Sequence, residues 1–271
     1  MGRDGERTLL RRALITPPQR FLRGILVSGE SGIGKTRLIR ESVFGLSLEG
    51  QTVLQGRQAE LEQLIALNPL IEAFREPRMA EVLSHLDEPW RAVLYGVMPS
   101  HFKGEGPIPQ APQIQPGSVP RRLFEAFHQL LLALTAEAPV VLVLDDLQWA
   151  DETTLSVLDF LFRRWDRGRL QALFSLRSQE IHRTSALRSF LNMLRVHDDF
   201  LEVPLRDLNK SASRRLIRDI SDKALSGPEM THLHSLAGGN PFFLLETLRA
   251  ILESHLETVG RLEKLVDLPA A

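Results

Sequence analysis

The apolar residues of this chain follow two different spacings, and each spacing predicts a different element. Short, nearly uninterrupted apolar runs such as VVLVL indicate strands buried on both faces, whereas apolar residues three and four positions apart indicate one face of a helix. Five stretches are predicted as strands: Phe21–Ser28, Thr52–Leu54 (closed by Gly56), Val140–Leu144, Leu170–Leu176 and Phe200–Val203. Because strands alternate with helices, the pattern predicts an α/β fold with a parallel sheet and right-handed crossovers.

The helical spacing recurs between these strands. Asp4 is placed to cap a first helix that runs through Leu14. The other predicted helices of this part contain Leu38, Ile39, Val43 and Leu46 after the first strand, and then cover Ala59–Arg75 and Ala80–Val97 (both interrupted by prolines), Arg121–Ala136, Thr153–Trp165 and Ser185–Arg195. The stretch His101–Pro120 is rich in proline, and we expect a disordered loop there.

The pattern changes after Pro204. Three helices and no strand are predicted beyond this point: Asn209–Ile220, Pro228–Leu236 and Pro241–Leu256. We therefore predict two domains. The first is an α/β domain over residues 1–204, and the second is a small all-helical domain over residues 205–271.

Composition narrows the class of protein. Of the 271 residues, 43% are hydrophobic and 25% are charged, which is ordinary for a globular protein with a substantial core. The formal net charge is −1, so no overall field favours nucleic acid. The chain has no cysteine, which excludes disulfides and thiolate metal sites. No apolar run approaches the ~20 residues that span a bilayer, and MGRDGERT is not a signal peptide. We expect a cytoplasmic protein without membrane contact.

A phosphate-binding loop follows the first predicted strand. GESGIGKT fits the pattern G-x-x-x-x-G-K-[ST], whose glycines leave backbone N–H groups open to phosphate oxygens at a helix start. Lys35 is expected to reach the β- and γ-phosphates and the Thr36 hydroxyl to ligate Mg²⁺. A chance glycine-rich turn would not explain the strand before the loop and the helix after it. The residues predicted to bind nucleotide here are Gly29, Glu30, Ser31, Gly32, Ile33, Gly34, Lys35, Thr36 and Arg37.

Two adjacent carboxylates end the VVLVL strand. Asp145 is placed to hold Mg²⁺, as in a Walker B strand, and Asp146 to polarise an attacking water. An aspartate in this position can instead cap the following helix. Asp146 is one methylene shorter than glutamate, which moves the base away from its water and predicts slow hydrolysis.

Arg177 ends the fourth predicted strand in LFSLRS. A charge at the carboxyl end of a buried strand faces the ligand crevice of an open α/β sheet. A surface arginine at a strand end would give the same pattern. The candidate catalytic residues are therefore Lys35, Asp146 and Arg177, and the candidate metal ligands are Thr36 and Asp145.

Four stretches in this order, GESGIGKTRL, LVLDDLQWAD, LRSQE and LAGGNPFFLLE, resemble the STAND subgroup of AAA+-related P-loop ATPases. The nearest resemblance is to the ATPase module at the front of large LuxR-type regulators and related signalling proteins, and it covers essentially the whole chain. It implies a five-stranded parallel sheet in the order 5-1-4-3-2 and places Arg177 as sensor 1 beside the γ-phosphate. It also implies that Arg3 lies near the adenine and that Asn240 and Pro241 lie against the nucleotide.

The resemblance also bears on partners. The chain ends at LVDLPAA, about where a winged-helix domain would begin in that family. We expect a switch whose sensor and output domains are missing or are supplied by a protein partner, with nucleotide-dependent self-association and no module that reads nucleic acid directly. Arg195 precedes the fifth strand, where AAA+ relatives often keep an arginine finger.

Three functions fit the sequence. The leading one is a conformational switch that binds ATP/ADP with Mg²⁺, hydrolyses ATP slowly and controls a signalling or transcriptional output. A nucleotide or small-molecule kinase shares the phosphate loop but would transfer phosphate to an added acceptor. An Orc-like DNA-associated ATPase would show salt-dependent affinity for DNA.

Overall fold

The computed structural model describes residues 2–16, 22–62, 65–76, 78–102, 119–220 and 226–251. Its strands form a single parallel sheet in the order β2-β3-β4-β1-β5, which confirms the predicted order 5-1-4-3-2. The strands are β1 (Leu22–Gly29), β2 (Thr52–Arg57), β3 (Val140–Asp145), β4 (Leu170–Arg177) and β5 (Phe200–Pro204).

Helices connect the strands and follow the last one. They are α1 (Asp4–Ile15), α2 (Lys35–Val43), α3 (Asn68–Ala73), α4 (Met79–Ser84), α5 (Glu88–Val97), α6 (Val119–Glu137), α7 (Glu152–Arg164), α8 (Ser185–Arg195), α9 (Lys210–Ile220), α10 (Gly227–Ala237) and α11 (241–251). Over the ranges that the structure describes, none of these helices is long and apolar enough to cross a membrane.

Successive side chains of the central strands pack on opposite faces of the sheet. Leu26 belongs to a core cluster shared with α3 to α8, whereas its neighbours Ile25 and Val27 belong to a second cluster shared with α1 and α2. Every residue of β1 and β3 is buried, but the edge strand β2 alternates between buried and exposed positions towards its end. Since both faces of the central strands are covered, those strands are predominantly apolar, and their few polar side chains, such as Arg23 and Gln171, are buried as well.

The region after β5 contains helices and no strand within the described residues. A third cluster, from Leu208 to Leu248, joins α9, α10 and α11. The Leu205 N–H donates to the Ser28 carbonyl at 2.7 Å and so connects the start of this helical region to β1. Within the helical region, the Leu208 N–H donates to the Gly239 carbonyl at 2.8 Å.

The expectation that Gly56 closes the second strand is wrong. The strand continues through Gly56 to Arg57, because the glycine serves close packing rather than a turn. A Cβ at position 56 would lie 1.8 Å from the carbonyl oxygen of Pro69, so α3 can rest on β2 only where no side chain intervenes. Strand β2 therefore ends at a charged residue, Arg57.

The prolines divide the long helical stretches more finely than the spacing predicted. Ala59–Arg75 contains α3 only from Asn68, and Ala80–Val97 divides into α4 and α5. Pro69 and Pro89 each stand in the first turn of a helix, where a missing N–H costs nothing.

Two further boundaries differ from the predictions. Asp4 does not cap α1, because Arg3 occupies the N-cap position and no side chain caps the helix. Asp4 lies in the first turn instead, where the helix dipole stabilises a carboxylate. Helix α6 begins at Val119, inside the stretch His101–Pro120 that was predicted as a loop, and residues 103–118 of that stretch lie outside the described residues. The predicted end of the last helix at Leu256 also lies outside them.

Candidate nucleotide-binding site

The loop between β1 and α2 is built for a close approach to its backbone. Gly32 and Gly34 have φ angles of 74° and 101°, in the left-handed region that glycine adopts without strain. Gly34 is the N-cap of α2, so the helix begins directly under the loop. The Lys35 Nζ donates to the carbonyls of Gly29 at 3.0 Å and Glu30 at 2.8 Å, which closes the loop into a ring. This arrangement presents N–H groups and a helix N-terminus to an anion.

Lys35 is the buried cation of the loop. Only 7% of Lys35 is exposed, and this burial lowers the pKa of its ammonium group because the charged form loses hydration. The negative charges of Asp146 and Asp145 raise the pKa of Lys35, and the positive charge of Arg177 lowers it further. The cation therefore lies among the charged side chains at the ends of β3 and β4.

Thr36 and Asp145 bring two oxygen ligands together. The Thr36 hydroxyl donates to Oδ2 of Asp145 at 2.8 Å, and the Ser175 hydroxyl donates to Oδ1 of the same carboxylate. A hydroxyl and a carboxylate held in contact fit Mg²⁺, which prefers oxygen ligands and completes its shell with water and substrate phosphates. Among the described residues, no three His, Cys, Asp or Glu side chains gather into a metal cage. The donor set thus suits an ion that is shared with a bound phosphate.

Asp146 turns out of the strand in a left-handed conformation, with φ of 60°. Its backbone N–H donates to the Ser175 hydroxyl at 2.8 Å, and its Oδ1 accepts from Gln148 Nε2 at 2.8 Å. Two arginines face it: Arg177 Nε lies 3.9 Å from Oδ1, and an Arg57 guanidinium nitrogen lies 4.0 Å from Oδ2. With its side chain 15% exposed, this carboxylate is held on several sides at the edge of the cleft.

Arg177 combines an exposed charge with a fixed backbone. Its side chain is 35% exposed, and its N–H donates to the Gln148 side-chain oxygen at 3.1 Å. Its guanidinium lies 5.6 Å from the ring centre of Trp149, and that of Arg183 lies 4.0 Å from the same ring. Both distances are within the range of cation–π attraction.

A cleft of about 630 Å³ opens above these residues, a size typical of small-molecule sites. Its polar side is formed by the phosphate loop and by the charged residues at the strand ends. Its apolar side comes from the helical region, through Leu208, Leu216 and Leu245. The cleft thus joins a wall suited to phosphates and a wall suited to a flat apolar group.

The start of α1 closes one end of the cleft. The Arg3 guanidinium donates to the Ile33 carbonyl at 3.2 Å and to Glu6 at 3.2 Å. Both Arg3 and Asp4 line the cleft, as does Arg37, whose Nε donates to Glu41 at 2.9 Å. Arg3 therefore lies beside the phosphate loop at the edge of the cleft, and its predicted place near the adenine stays a prediction.

Asn240 and Pro241 lie against the phosphate loop from the helical region. The Asn240 side-chain amide donates to the Ser31 carbonyl at 2.9 Å, and the Phe242 N–H lies 3.3 Å from the Gly32 carbonyl. A Cβ at Gly32 would come within 2.6 Å of Phe242 Cβ, so the loop and the start of α11 touch directly. Pro241 lines the cleft beside them.

The final aspartate of DDLQWAD has a structural position. Asp151 caps α7 by accepting from the Thr154 N–H at 3.0 Å, and its other oxygen accepts from the Leu67 N–H at 3.0 Å. The capping alternative had been raised for the paired aspartates, and of these Asp146 precedes the turn Leu147–Trp149 without a side-chain cap. Arg195, the candidate arginine finger, lies 3.7 Å from Glu202 through its Nε.

Sequence reasoning missed several residues of the site. Ser175 and Gln148 contact the paired aspartates, Arg57 faces Asp146, and Phe242 contacts the loop. The rule that singled out Arg177, a charge at the carboxyl end of a strand, would have found Arg57 if β2 had been extended by three residues. Ser175 and Gln148 carried no comparable signal.

The sequence of residues 1–176 matches the AAA ATPase domain family. Because this stretch is more than half of the 271 residues, the chain belongs to that family. Its fold and site define a P-loop ATPase module that binds nucleotide. No curated protein has a matching sequence.

Solved structures of replication initiators share the fold. AMPPCP-bound DnaA from Aquifex aeolicus is 12% identical with a TM-score of 0.50, over 97% of this chain and 64% of that chain. Replication initiator DnaA bound to AMPPCP and single-stranded DNA is 14% identical with a TM-score of 0.53, over 97% of this chain and 65% of that chain. A DNA replication initiation factor is 12% identical with a TM-score of 0.53, over 97% and 64% of the two chains. The chain therefore spans about 64–65% of the length of these structures, and the likeness concerns the fold.

Proposed function

We propose that this chain is an ATP-binding conformational switch that hydrolyses ATP slowly and controls a signalling or transcription-regulatory output. The observation that carries the proposal is the contact between Asn240 and the Ser31 carbonyl. It connects the phosphate loop to the helical region, which we treat as a lid domain over residues 205–271 beside a nucleotide-binding domain over residues 1–204. A change in the loop on binding phosphate is thereby passed to the lid.

Nucleotide binding follows from the charges in the cleft. The loop N–H groups and Lys35 bind the phosphates, and the apolar wall of the helical region receives the base. Thr36 and Asp145 would hold Mg²⁺, and the ion would neutralise charge on the β- and γ-phosphates. The AMPPCP found in the DnaA structures supports a triphosphate ligand for this fold.

Hydrolysis is assigned to Asp146 and Arg177. Asp146 orients a water for attack on the γ-phosphorus, the bond from the γ-phosphorus to the bridging oxygen breaks, and phosphate and ADP leave. Arg177 stabilises the charge on the γ-phosphate oxygens. A short aspartate holds the water less closely than glutamate would, so we expect turnover to be slow and the ATP-bound state to be long-lived.

A nucleotide can move the lid only by binding one lid position more tightly than another. Arg177 responds to the γ-phosphate, which ADP lacks, and the Ser31 carbonyl lies in the loop that holds the phosphates. The two nucleotides therefore differ in what they do to the loop that Asn240 contacts.

Distance measurement between two spin labels tests the switch. The chain has no cysteine, so a Leu48→Cys/Leu236→Cys variant carries labels only at these sites, which are 93% and 61% exposed. Leu48 lies between α2 and β2, and Leu236 lies on α10. We expect different distance distributions with ADP and with a non-hydrolysable ATP analogue. Identical distributions without nucleotide and with both ligands would reject the proposal.

A matched pair of asparagine variants identifies the contact responsible. Asn240→Ala should reduce the nucleotide-dependent change in distance. Asn209→Ala, which removes a cap of α9 by deleting the acceptor of the Ala212 N–H, should leave the change intact. If both variants behave alike, Asn240 does not transmit the signal.

The likeness to DnaA favours a second candidate, a DNA-associated ATPase. One DnaA structure contains single-stranded DNA together with AMPPCP. Against it, the net charge of −1 provides no general attraction to DNA. Affinity for a fluorescent single strand, measured with ATP at several salt concentrations, distinguishes the two functions, because tight binding that weakens steeply with salt would favour the second.

A further inference from the structure

Gln148 occupies the turn directly after the paired aspartates, and only 2% of it is exposed. Both ends of its amide are bonded: Nε2 donates to Oδ1 of Asp146 at 2.8 Å, and Oε1 accepts from the Arg177 N–H at 3.1 Å. A carboxylate can only accept and a backbone N–H can only donate, so a single orientation of the amide satisfies both partners. The side chain is therefore fixed between the two residues.

The Gln148 amide connects the residues that follow β3 to the end of β4, beyond the point where the backbone pairing of these two strands stops. The pairing of β3 with β4 ends at Leu144 and Phe174, before the carboxylates begin. Arg177 lies three residues beyond that end, and on its other side it is in register with Gly29, where the phosphate loop starts. Gln148 thus connects Asp146 to a strand end that is already joined to the phosphate loop.

The contact also decides which oxygen of Asp146 is left for other partners. Oδ1 faces the Gln148 amide and the Arg177 guanidinium, whereas Oδ2 lies 4.0 Å from Arg57, which lines the cleft together with Asp146. Rotation of the carboxylate would break the bond to Gln148. Oδ2 is consequently the oxygen that can meet a water in the cleft.

We propose that Gln148 is a positioning residue for ATP hydrolysis, which holds the Asp146 carboxylate and the end of β4 in one arrangement. It acts through Asp146 and is not among the residues that line the cleft. The inference rests on the proposed function in one respect, the role given to Asp146. Binding of ATP depends on the loop, on Lys35 and on the Arg177 guanidinium, and the pairing of Arg177 with Gly29 keeps that strand end in place without Gln148.

The test compares Gln148→Leu with Gln171→Leu. Gln171 is also a buried glutamine, on β4, and its amide donates to the Leu14 carbonyl at 2.9 Å, away from the cleft. Gln148→Leu should lower kcat roughly tenfold to a hundredfold, as expected for a base displaced by about 1 Å, with ATP affinity within about twofold of wild type. Gln171→Leu should lower thermal stability and leave kcat unchanged below its melting temperature.

A second variant separates the two ends of the amide and serves if Gln148→Leu does not fold. Gln148→Glu keeps the shape and the acceptor for the Arg177 N–H, but it replaces the donor with an oxygen that faces Oδ1 of Asp146. Its kcat should fall at least as far as that of Gln148→Leu. Wild-type kcat in either folded variant would overturn the inference.

A double variant shows whether Gln148 acts through Asp146. Asp146→Asn/Gln148→Leu should hydrolyse ATP no more slowly than Asp146→Asn alone, because the carboxylate to be positioned is already gone. An additional drop would overturn the inference. Failure of the proposed function has a different signature, since Asp146→Asn would then hydrolyse ATP at the wild-type rate.

Discussion

Thr36 and Asp145 are separated by 109 positions in the sequence and joined by a hydrogen bond of 2.8 Å. Thr36 lies in the first turn of α2, and Asp145 is the last residue of β3. Because β3 and β1 are separated by β4 in the sheet, this bond closes the space between the phosphate loop and a strand two positions away.

Thr36→Val should remove the dependence of ATP affinity on Mg²⁺. Valine keeps the shape of threonine and deletes the oxygen that would bind the ion. Wild-type protein should bind ATP about tenfold to a hundredfold more tightly with Mg²⁺ than with EDTA, in line with a charged contact of about 1.5–3 kcal/mol, and the variant should show little difference. Calorimetric titration measures both. Thr154→Val, at a buried threonine of α7, should keep the wild-type response.

Lys35→Ala and Asp146→Asn should fail at different steps. Lys35→Ala should abolish ATP binding, because the buried cation meets charge that is present in the ground state. Asp146→Asn should bind ATP normally and lose most hydrolysis, by about a hundredfold or more for a missing base. Calorimetry beside phosphate release resolves the two, with Lys210→Ala, an exposed lysine at the start of α9, as the control. Normal hydrolysis by Asp146→Asn would contradict the assignment of Asp146 as the residue that activates the attacking water.

Arg177→Ala should weaken ATP binding roughly tenfold to a hundredfold and leave ADP binding nearly unchanged. A charge-assisted hydrogen bond to the γ-phosphate is worth about 1.5–3 kcal/mol, and ADP offers no such partner. Arg183→Ala is the control, because Arg183 stacks on the same Trp149 ring without lining the cleft. Equal losses for both nucleotides would contradict the role of Arg177 as a sensor.

Trp149 should report the position of Arg177 in solution. If Arg177 turns towards a γ-phosphate, its guanidinium moves from the 5.6 Å separation and alters the electrostatic surroundings of the indole. An ATP analogue should therefore change tryptophan emission in the wild type, with a smaller change for ADP. Trp149→Phe and Arg177→Ala should both lose the difference between the nucleotides. Its persistence in Arg177→Ala would show that another residue produces it.

Gly32→Ala and Gly34→Ala should differ in their effect on the lid. Both glycines have positive φ angles, so both variants strain the phosphate loop. Only the Cβ at position 32 would meet α11, 2.6 Å from Phe242 Cβ, while none of the neighbouring atoms lies within 4 Å of a Cβ at position 34. Gly32→Ala should therefore also change the distance between labels at Leu48 and Leu236. An equal shift in Gly34→Ala would contradict a direct contact between loop and lid.

The sequence predicted those parts of the fold that depend on local patterns. The apolar run of β3 and the amphipathic spacing of α8 predicted these elements nearly at the observed bounds. A strand buried on both faces needs a continuous apolar run, and a helix buried on one face needs apolar residues at helical spacing, so both patterns can be read from the sequence. An interruption by prolines was expected between Ala80 and Val97, but the bounds of α4 and α5 were not, since they depend on where a proline allows a helix to start. Gly56 was misread because its reason is a neighbouring backbone that is distant in sequence.

The site divides in the same way. The phosphate loop and the paired aspartates could be found from their motifs, which specify the conformation they need. The contact of Gln148 with Asp146 and Arg177 could not, because it depends on the left-handed backbone conformation that Asp146 adopts after the strand. Likewise, the Asn240 contact with Ser31 depends on how two core regions pack, which no spacing along the chain records.

The left-handed backbone at Asp146 has a consequence for attempts to stabilise this protein. A residue with a Cβ gives up about 1 kcal/mol in that conformation, and glycine would avoid the loss. Asp146→Gly would relieve the backbone, but it would also leave the buried Gln148 amide nitrogen without its acceptor, a loss of about 1–3 kcal/mol that offsets the gain. The side chain of Asp146 thus stabilises the conformation that its own backbone disfavours, and a search for stabilising glycines at left-handed positions should leave residue 146 unchanged.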